Sequence, residues 1–166
     1  MEIWDIYDEN MNKTGKTMER DNWSMQPGEY HVSVLGVVQR PDKKYLITQR
    51  KMDKPWGAGW WELPGGAVRA GEEPEAAVRR EVAEETGLDV SDVAAEKVLT
   101  YKREDPNDDN NYFMVVYRLE LDADESMVAI QEEEVEDFAF ADVARIRSLA
   151  DEGIFLHYNS ISSIFE

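Results

Sequence analysis

The sequence predicts an α/β layered fold in one domain of 166 residues, with strands interleaved with two helices. Three observations carry that prediction. His31 to Val38 is rich in Val and reads as a buried strand, with further short apolar runs at Tyr45 to Thr48 and Tyr112 to Leu121. Pro74 to Thr86 is framed as a helix, with proline in its first turn and Gly87 as its stop. No internal repeat and no low-complexity linker divides the chain.

Taken in order, Glu2 to Tyr7 alternates apolar and polar residues, as a half-buried strand does. Asp8 to Gly15 is rich in turn formers, and from there to Gly28 the chain reads as irregular and polar. Residues 1–30 therefore form an N-terminal extension to a core of residues 31–166. The strands His31 to Val38 and Tyr45 to Thr48 are joined by the turn at Pro41-Asp42. A loop dense in Pro, Gly and Trp runs from Lys54 to Gly66 and leads to the helix Pro74 to Thr86. Val98 to Lys102 and Tyr112 to Leu121 are strands flanking the acidic loop Glu104 to Asn111. Val135 to Phe140 is a last strand, and Asp142 caps a helix to Glu152 that Gly153 ends.

Charge narrows the function classes. Eighteen Lys and Arg stand against 36 Asp and Glu, a formal net charge of −18. Such a surface repels phosphodiester backbones, which argues against a polymeric nucleic-acid partner. A small phosphorylated ligand is compatible with it where metal cations offset the local repulsion. The same acidity also serves solubility or a salty surrounding. No cysteine is present, so disulfides, thiolate metal sites and cysteine nucleophiles are excluded together. No apolar run approaches the roughly 20 residues of a membrane span. The opening MEIWDIYDEN lacks a basic start and an apolar core, so it does not read as a signal peptide and a cytoplasmic protein is expected.

The helix concentrates charge in an unusual place. Glu81 and Glu85 lie one turn apart on one stripe, Glu84 lies beside them, and Ala77, Val78 and Val82 border that stripe. Like charges at this spacing repel, the more so where partly buried, and a divalent cation turns that repulsion into binding energy. Oxygen donors without thiolate or paired histidine favour Mg²⁺, with Mn²⁺ as the alternative. A solvated glutamate face tied by Arg79 and Arg80 is the competing reading for any Glu-rich helix. The preceding Gly65-Gly66 shifts the balance, because a backbone without side chains can bring a carbonyl close to an ion. Arg80 lies four residues before Glu84 and can orient it, and Glu72 can fold back onto Arg80.

Gly66, five residues, Glu72, seven residues, then Arg80-Glu81-Val82-Ala83-Glu84-Glu85-Thr86-Gly87-Leu88 resembles a complete Nudix box, 23 residues of the chain. The approach Tyr45-Leu-Ile-Thr-Gln-Arg50 and Trp61-Glu-Leu-Pro-Gly-Gly66, and the closing Glu134-Val-Glu-Asp-Phe-Ala-Phe140, are similar to that family more weakly. The resemblance implies a Nudix-type α/β/α sandwich with a mixed β-sheet. It implies hydrolysis of a nucleoside diphosphate linked to another group, or of a related diphosphate, by water attack on phosphorus with Mg²⁺ neutralising the oxygens. Carried onto this chain, Glu81, Glu84, Glu85 and the Gly66 carbonyl would hold the metal, and any of the three glutamates could be the general base. Arg80 and Glu72 would brace the helix. A further glutamate late in the chain is common in the family, and within Gln131-Glu132-Glu133-Glu134 the spacing from Phe140 favours Glu134.

Two further residues bear on substrate. Arg50, ending a strand beside the box, either holds a substrate phosphate or makes a surface ion pair. Trp60, with Trp56 and Trp61, either stacks a base or packs in the core. The region from Tyr7 to His31 resembles the lead-in of isopentenyl-diphosphate isomerases. Isomerases of this fold use a catalytic cysteine and several metal histidines, whereas this chain has only His31 and His157, so a strand-end structural histidine is the better reading of His31. A non-catalytic module of the same fold that binds a phosphorylated ligand is the alternative to a hydrolase, although such modules often have degenerate boxes. The segment from Asp8 to Gly28, with Trp4 and Trp23 near its ends, would either cover a partner in a homodimer or fold back on its own domain.

Overall fold

A computed structural model describes residues 2–107 and 109–165; Met1, Asp108 and Glu166 lie outside the described residues. Its sheet is mixed. Strands β1 (Ile3–Tyr7) and β2 (Lys13–Glu19) form an antiparallel hairpin, in which the Asp8 carboxylate accepts from the Asn10 and Asn12 N–H groups across the turn. The main sheet contains β3 (His31–Gln39), β4 (Tyr45–Arg50), β5 (Trp61–Glu62), β6 (Gly65–Ala67), β7 (Ala95–Arg103), β8 (Tyr112–Glu120) and β9 (Val135–Ala141). Its spine runs β5-β4-β3-β8-β7, with β6 added to β3 and β9 to β4.

The spine is two subsheets joined at a corner. β3 and β8 pair in parallel from His31↔Tyr112 to Gln39↔Glu120, whereas β3 and β4 share only Gln39↔Tyr45. From that point the chain splays, so β4 pairs instead with β9 and β5, and β3 accepts β6. The opening between β4 and β6 is where the box begins.

Helices cover both faces. On one face α1 (Pro74–Thr86) packs Ala77, Val78 and Val82 onto β3 and β8. Close approach is possible because Gly36 carries no side chain: a Cβ there would stand 2.9 Å from Val82 Cγ2. On the other face α2 (Val143–Asp151) and α3 (Tyr158–Ile161) bury Ile146, Leu149 and Ile161 against Val37, Ile47 and Val116. A third cluster, Trp4, Ile6 and Met25, lies under the N-terminal hairpin.

The α/β layers, the helix bounds of α1 and its Gly87 stop agree with the sequence reading. The Gly87 N–H closes on the Ala83 carbonyl at 2.9 Å. Asp142 caps α2 by accepting from the Arg145 N–H at 2.9 Å. Residues 8–28 differ from expectation, because Lys13–Glu19 is a strand rather than turn or irregular chain. It carries almost no buried side chain and thus no apolar period, and its strand geometry comes from pairing with β1. β7 begins at Ala95, three residues ahead of Val98, for the same reason. The short helix α3 carries none of the capping signals that marked α1 and α2; its N-cap is His157 in the left-handed region, at φ 64°.

His31 is a strand-end structural histidine. It lies flat against Trp4, with ring centroids 4.0 Å apart and planes 7° from parallel, and its Nε2 meets Asn110 Oδ1 at 3.0 Å. Burial pushes its pKa down to about 4, so the ring is neutral at physiological pH.

Candidate active site

The box turns the chain around one buried point. β6 runs beside β3, with Val34 opposite Gly66 and Leu35 opposite Gly65. A Cβ on Gly65 would come within 2.0 Å of the Val34 carbonyl oxygen, and one on Gly66 within 2.5 Å of Glu81 Oε1. The two glycines thus let a strand and the carboxylates of α1 occupy one small volume. The Gly65 N–H donates to Glu85 Oε1 at 3.2 Å, tying the helix to the strand turn.

Arg80 organises the helix surface. Its Nε and Nη2 donate to the two oxygens of Glu72 at 2.8 and 2.9 Å, a bidentate pair. Nη1 donates to Glu81 at 2.8 Å and to Glu84 at 3.4 Å, and Nη2 also reaches the Ala67 carbonyl at 3.2 Å. The Arg80 guanidinium holds the Glu72 carboxyl below its ordinary range. Arg69 flanks this group, 3.9 Å from Glu84 and 3.8 Å from Glu2.

Glu81 and Glu85 are shifted in the same direction. Burial raises Glu81, with Arg80 opposing, and raises Glu85 well above the usual carboxylate range, reinforced by the charges of Glu62 and Glu81. A side-chain hydrogen bond links Glu81 and Glu85. Glu62, on β5, is the residue the sequence reading passed over. Burial pushes it up to about 7, opposed chiefly by Arg50, and its neighbours are Glu81 and Glu85. Three carboxylates thus face one another in a poorly solvated space. That is an unfavourable arrangement for anions and a favourable one for a hard cation with oxygen ligands. Among the described residues no three acidic or histidine side chains already converge on one ion position. Glu81 and Glu84 are both turned to Arg80, so holding a cation takes a side-chain rotation at that end.

Of the remaining predicted residues, only Arg50 is shown in contact with the cluster, through Glu62. Arg50 bonds the Trp56 carbonyl through Nε and Nη2 at 3.2 and 3.0 Å, and lies 3.5 Å from Glu62. Its guanidinium covers the Trp56 ring at 5.1 Å. Of the three tryptophans only Trp61 is buried, while Trp56 and Trp60 are exposed. Trp60 stands on the rim of an open cleft of about 360 Å³ with Phe155, His157 and Tyr158. Glu134 precedes β9 and is ion-paired with Lys54. Glu62 could have been found from Trp61-Glu-Leu-Pro-Gly-Gly66 had the strand side of the box been weighed as a donor.

A family model for the NUDIX domain matches residues 29–161. An uncharacterized Nudix hydrolase of Listeria monocytogenes is 30% identical over 99% of this chain and 94% of its own length. A Deinococcus radiodurans protein of known structure superposes with a TM-score of 0.69 at 21% identity, covering 89% of this chain and 90% of that one. The Nudix domain of NrtR from Shewanella oneidensis, solved with ADP-ribose, gives a TM-score of 0.58 at 25% identity over 72% of this chain and 77% of that one. The chain belongs to the Nudix family, and as a Nudix hydrolase it acts on diphosphate bonds. Enzymes of this family generally use a divalent metal.

Proposed function

We propose that the protein is a Mg²⁺-dependent hydrolase, with Mn²⁺ as a substitute, that cleaves the diphosphate bond of a small nucleoside diphosphate linked to another group, or of a related diphosphate. The observation that carries this reading is the packing of Glu81 and Glu85 against the Gly65-Gly66 turn, with Glu62 as their charged neighbour. Their mutual repulsion and burial make the space costly without a cation. Glu81, Glu84, Glu85 and the Gly66 carbonyl would hold the metal, and Glu62 adjoins them as a further oxygen donor. A cation held there would supply charge neutralisation at the diphosphate oxygens and a more acidic water.

The chain's own residues divide the remaining work. Arg80, held by Glu72, fixes the spacing of Glu81 and Glu84. Glu134, on the segment facing the box, is a candidate to take the proton of the attacking water, and Arg50 and Trp60 flank the path by which substrate reaches it. The small phosphorylated ligand of the related NrtR domain, ADP-ribose, belongs in the first substrate panel. Residues 1–30 act as an extension of the one catalytic domain, in a cytoplasmic protein without a nucleic-acid polymer as partner.

The test is product detection across dinucleotides, nucleotide sugars including ADP-ribose, nucleoside triphosphates, coenzyme A and prenyl diphosphates, with and without Mg²⁺, using Glu85→Gln as the blank. Metal-dependent turnover absent from the blank is the expected result. Metal-independent turnover, or equal turnover by the variant, overturns the reading.

A further inference from the structure

We propose that Lys54 is a phosphate-binding residue of this site, held against Glu134 in the structure described here and transferred to a phosphate oxygen of the substrate when the diphosphate binds. The proposal rests on the hydrolase reading above and names a contact that reading does not contain.

Lys54 lies on the connection between β4 and β5, residues 51–60. Its ammonium is ion-paired with the Glu134 carboxylate, and its charge also acts on Glu62, the carboxylate beside Glu81 and Glu85. One cation therefore faces both the buried acidic cluster and the glutamate on the opposite edge. The connection that carries it is tethered separately. Lys51 pairs with Glu136 at 3.1 Å, Gln49 donates to the Gly59 carbonyl at 3.0 Å, and Arg50 holds the Trp56 carbonyl. Those tethers do not involve Lys54, so its ammonium can change partners while the loop stays in place.

The chemistry of exchange is favourable. The Lys54 side chain keeps 23% of its exposure and that of Glu134 52%, so the pair is reached from solvent. An ion pair this exposed contributes little to stability, and a diphosphate, with at least two negative charges, competes well against one carboxylate. Lysine suits the task, because a compact ammonium on a flexible stem can swing between acceptors while a guanidinium fork is fixed by its geometry. The need for such a group follows from charge: in a chain of net charge −18, a diphosphate approaching Glu62, Glu81, Glu84 and Glu85 meets like charges from several directions. Transfer of Lys54 has a second effect. It frees the Glu134 carboxylate as the substrate arrives, so the candidate base becomes available only in the complex.

The test uses the full chain and methylenediphosphonate, a diphosphate that cannot be hydrolysed, titrated calorimetrically in Mg²⁺. Lys54→Met is expected to weaken binding roughly tenfold, and Lys54→Arg to keep only part of the affinity, since the charge remains but the fork swings less freely. Glu134→Gln is expected to tighten binding several-fold, since the competing carboxylate is gone. Unfolding midpoints in chelator establish that each variant folds. Unchanged binding by Lys54→Met overturns the proposal, and so does weaker binding by Glu134→Gln in step with it, which would make the pair a structural clamp of the loop. Absence of binding by the wild-type chain overturns the hydrolase reading and this proposal together, so the two failures are distinguishable.

Discussion

Glu85→Gln separates the electrostatics of the site from its structural role. The amide keeps an oxygen to accept the Gly65 N–H bond of 3.2 Å and nearly the same volume, so the β6–α1 contact survives. What disappears is a carboxylate that burial and the neighbouring charges of Glu62 and Glu81 hold in an unfavourable state. In chelator the variant is therefore expected to melt at or above the wild-type temperature. In Mg²⁺ the order reverses. A native-state ligand at a hundred times its dissociation constant stabilises by about 2.7 kcal/mol. For a chain of this size that is a rise of about 5–11 °C in midpoint, expected for the wild type and largely lost in the variant. Loss of one metal ligand removes several kcal/mol of transition-state stabilisation, so turnover should fall roughly a thousandfold or more. Differential scanning fluorimetry in EDTA and in Mg²⁺, beside a product assay, reads all of these. A variant that melts well below the wild type in EDTA, or one that keeps the Mg²⁺ shift, refutes the assignment of Glu85.

The two box glycines should fail differently. Gly65→Ala drives a methyl onto the Val34 carbonyl and is expected to unfold the chain or to lower its urea midpoint severely. Gly66→Ala meets the Glu81 carboxylate first, which can move, and should fold while losing most of the Mg²⁺-induced melting shift; equal loss of stability in both would contradict this. Arg80→Lys keeps the charge but not the bidentate pair with Glu72, so Mg²⁺ affinity measured by calorimetry should drop about 10–100-fold, and an unchanged affinity would show that Arg80 does not space Glu81 and Glu84. His31 has a folded pKa of about 4 against an ordinary 6.5, so the stability its neutral ring contributes is present above pH 6.5 and is lost as pH falls toward 4. The shift corresponds to about 3 kcal/mol. His31→Phe keeps an aromatic face for Trp4 and should flatten that part of the acid limb in urea titrations at pH 7, 5.5 and 4; parallel curves would refute it.

Legibility in the sequence followed the range of the interactions. Glu81, Glu84, Glu85 and Arg80 could be placed because one helix fixes their relation, and Gly66 and Glu72 because a short turn does. Glu62 stands in the strand approach to the box, but its burial beside Glu81 and Glu85 arises only from β5 pairing with β4 and from α1 packing on the sheet. Lys54 and Glu134 are 80 residues apart and meet only through the pairing of β4 with β9. β2 was missed on other grounds, because a strand exposed along most of its length has no apolar period to display. Trp56 and Trp60 stayed ambiguous for the reason that an aromatic residue in a loop has the same spacing whether it is buried or not.

The cations around the box divide by what each would lose on leaving its present partners. Arg80 uses Nε, Nη1 and Nη2 together, and withdrawing it would strand Glu72, Glu81 and the Ala67 carbonyl at once. A group so committed sets geometry. Arg50 is intermediate, since it keeps the Trp56 carbonyl and hence the shape of the loop. Among the described residues Lys54 has one ion-paired partner, on an exposed edge, so moving it strands only a carboxylate that water can solvate. A net charge of −18 makes mobile cations scarce near the carboxylates. Selectivity for small diphosphates then depends on the few cations that can be spared, which is why exchanging Lys54 should alter ligand affinity while exchanging Arg80 should alter the metal.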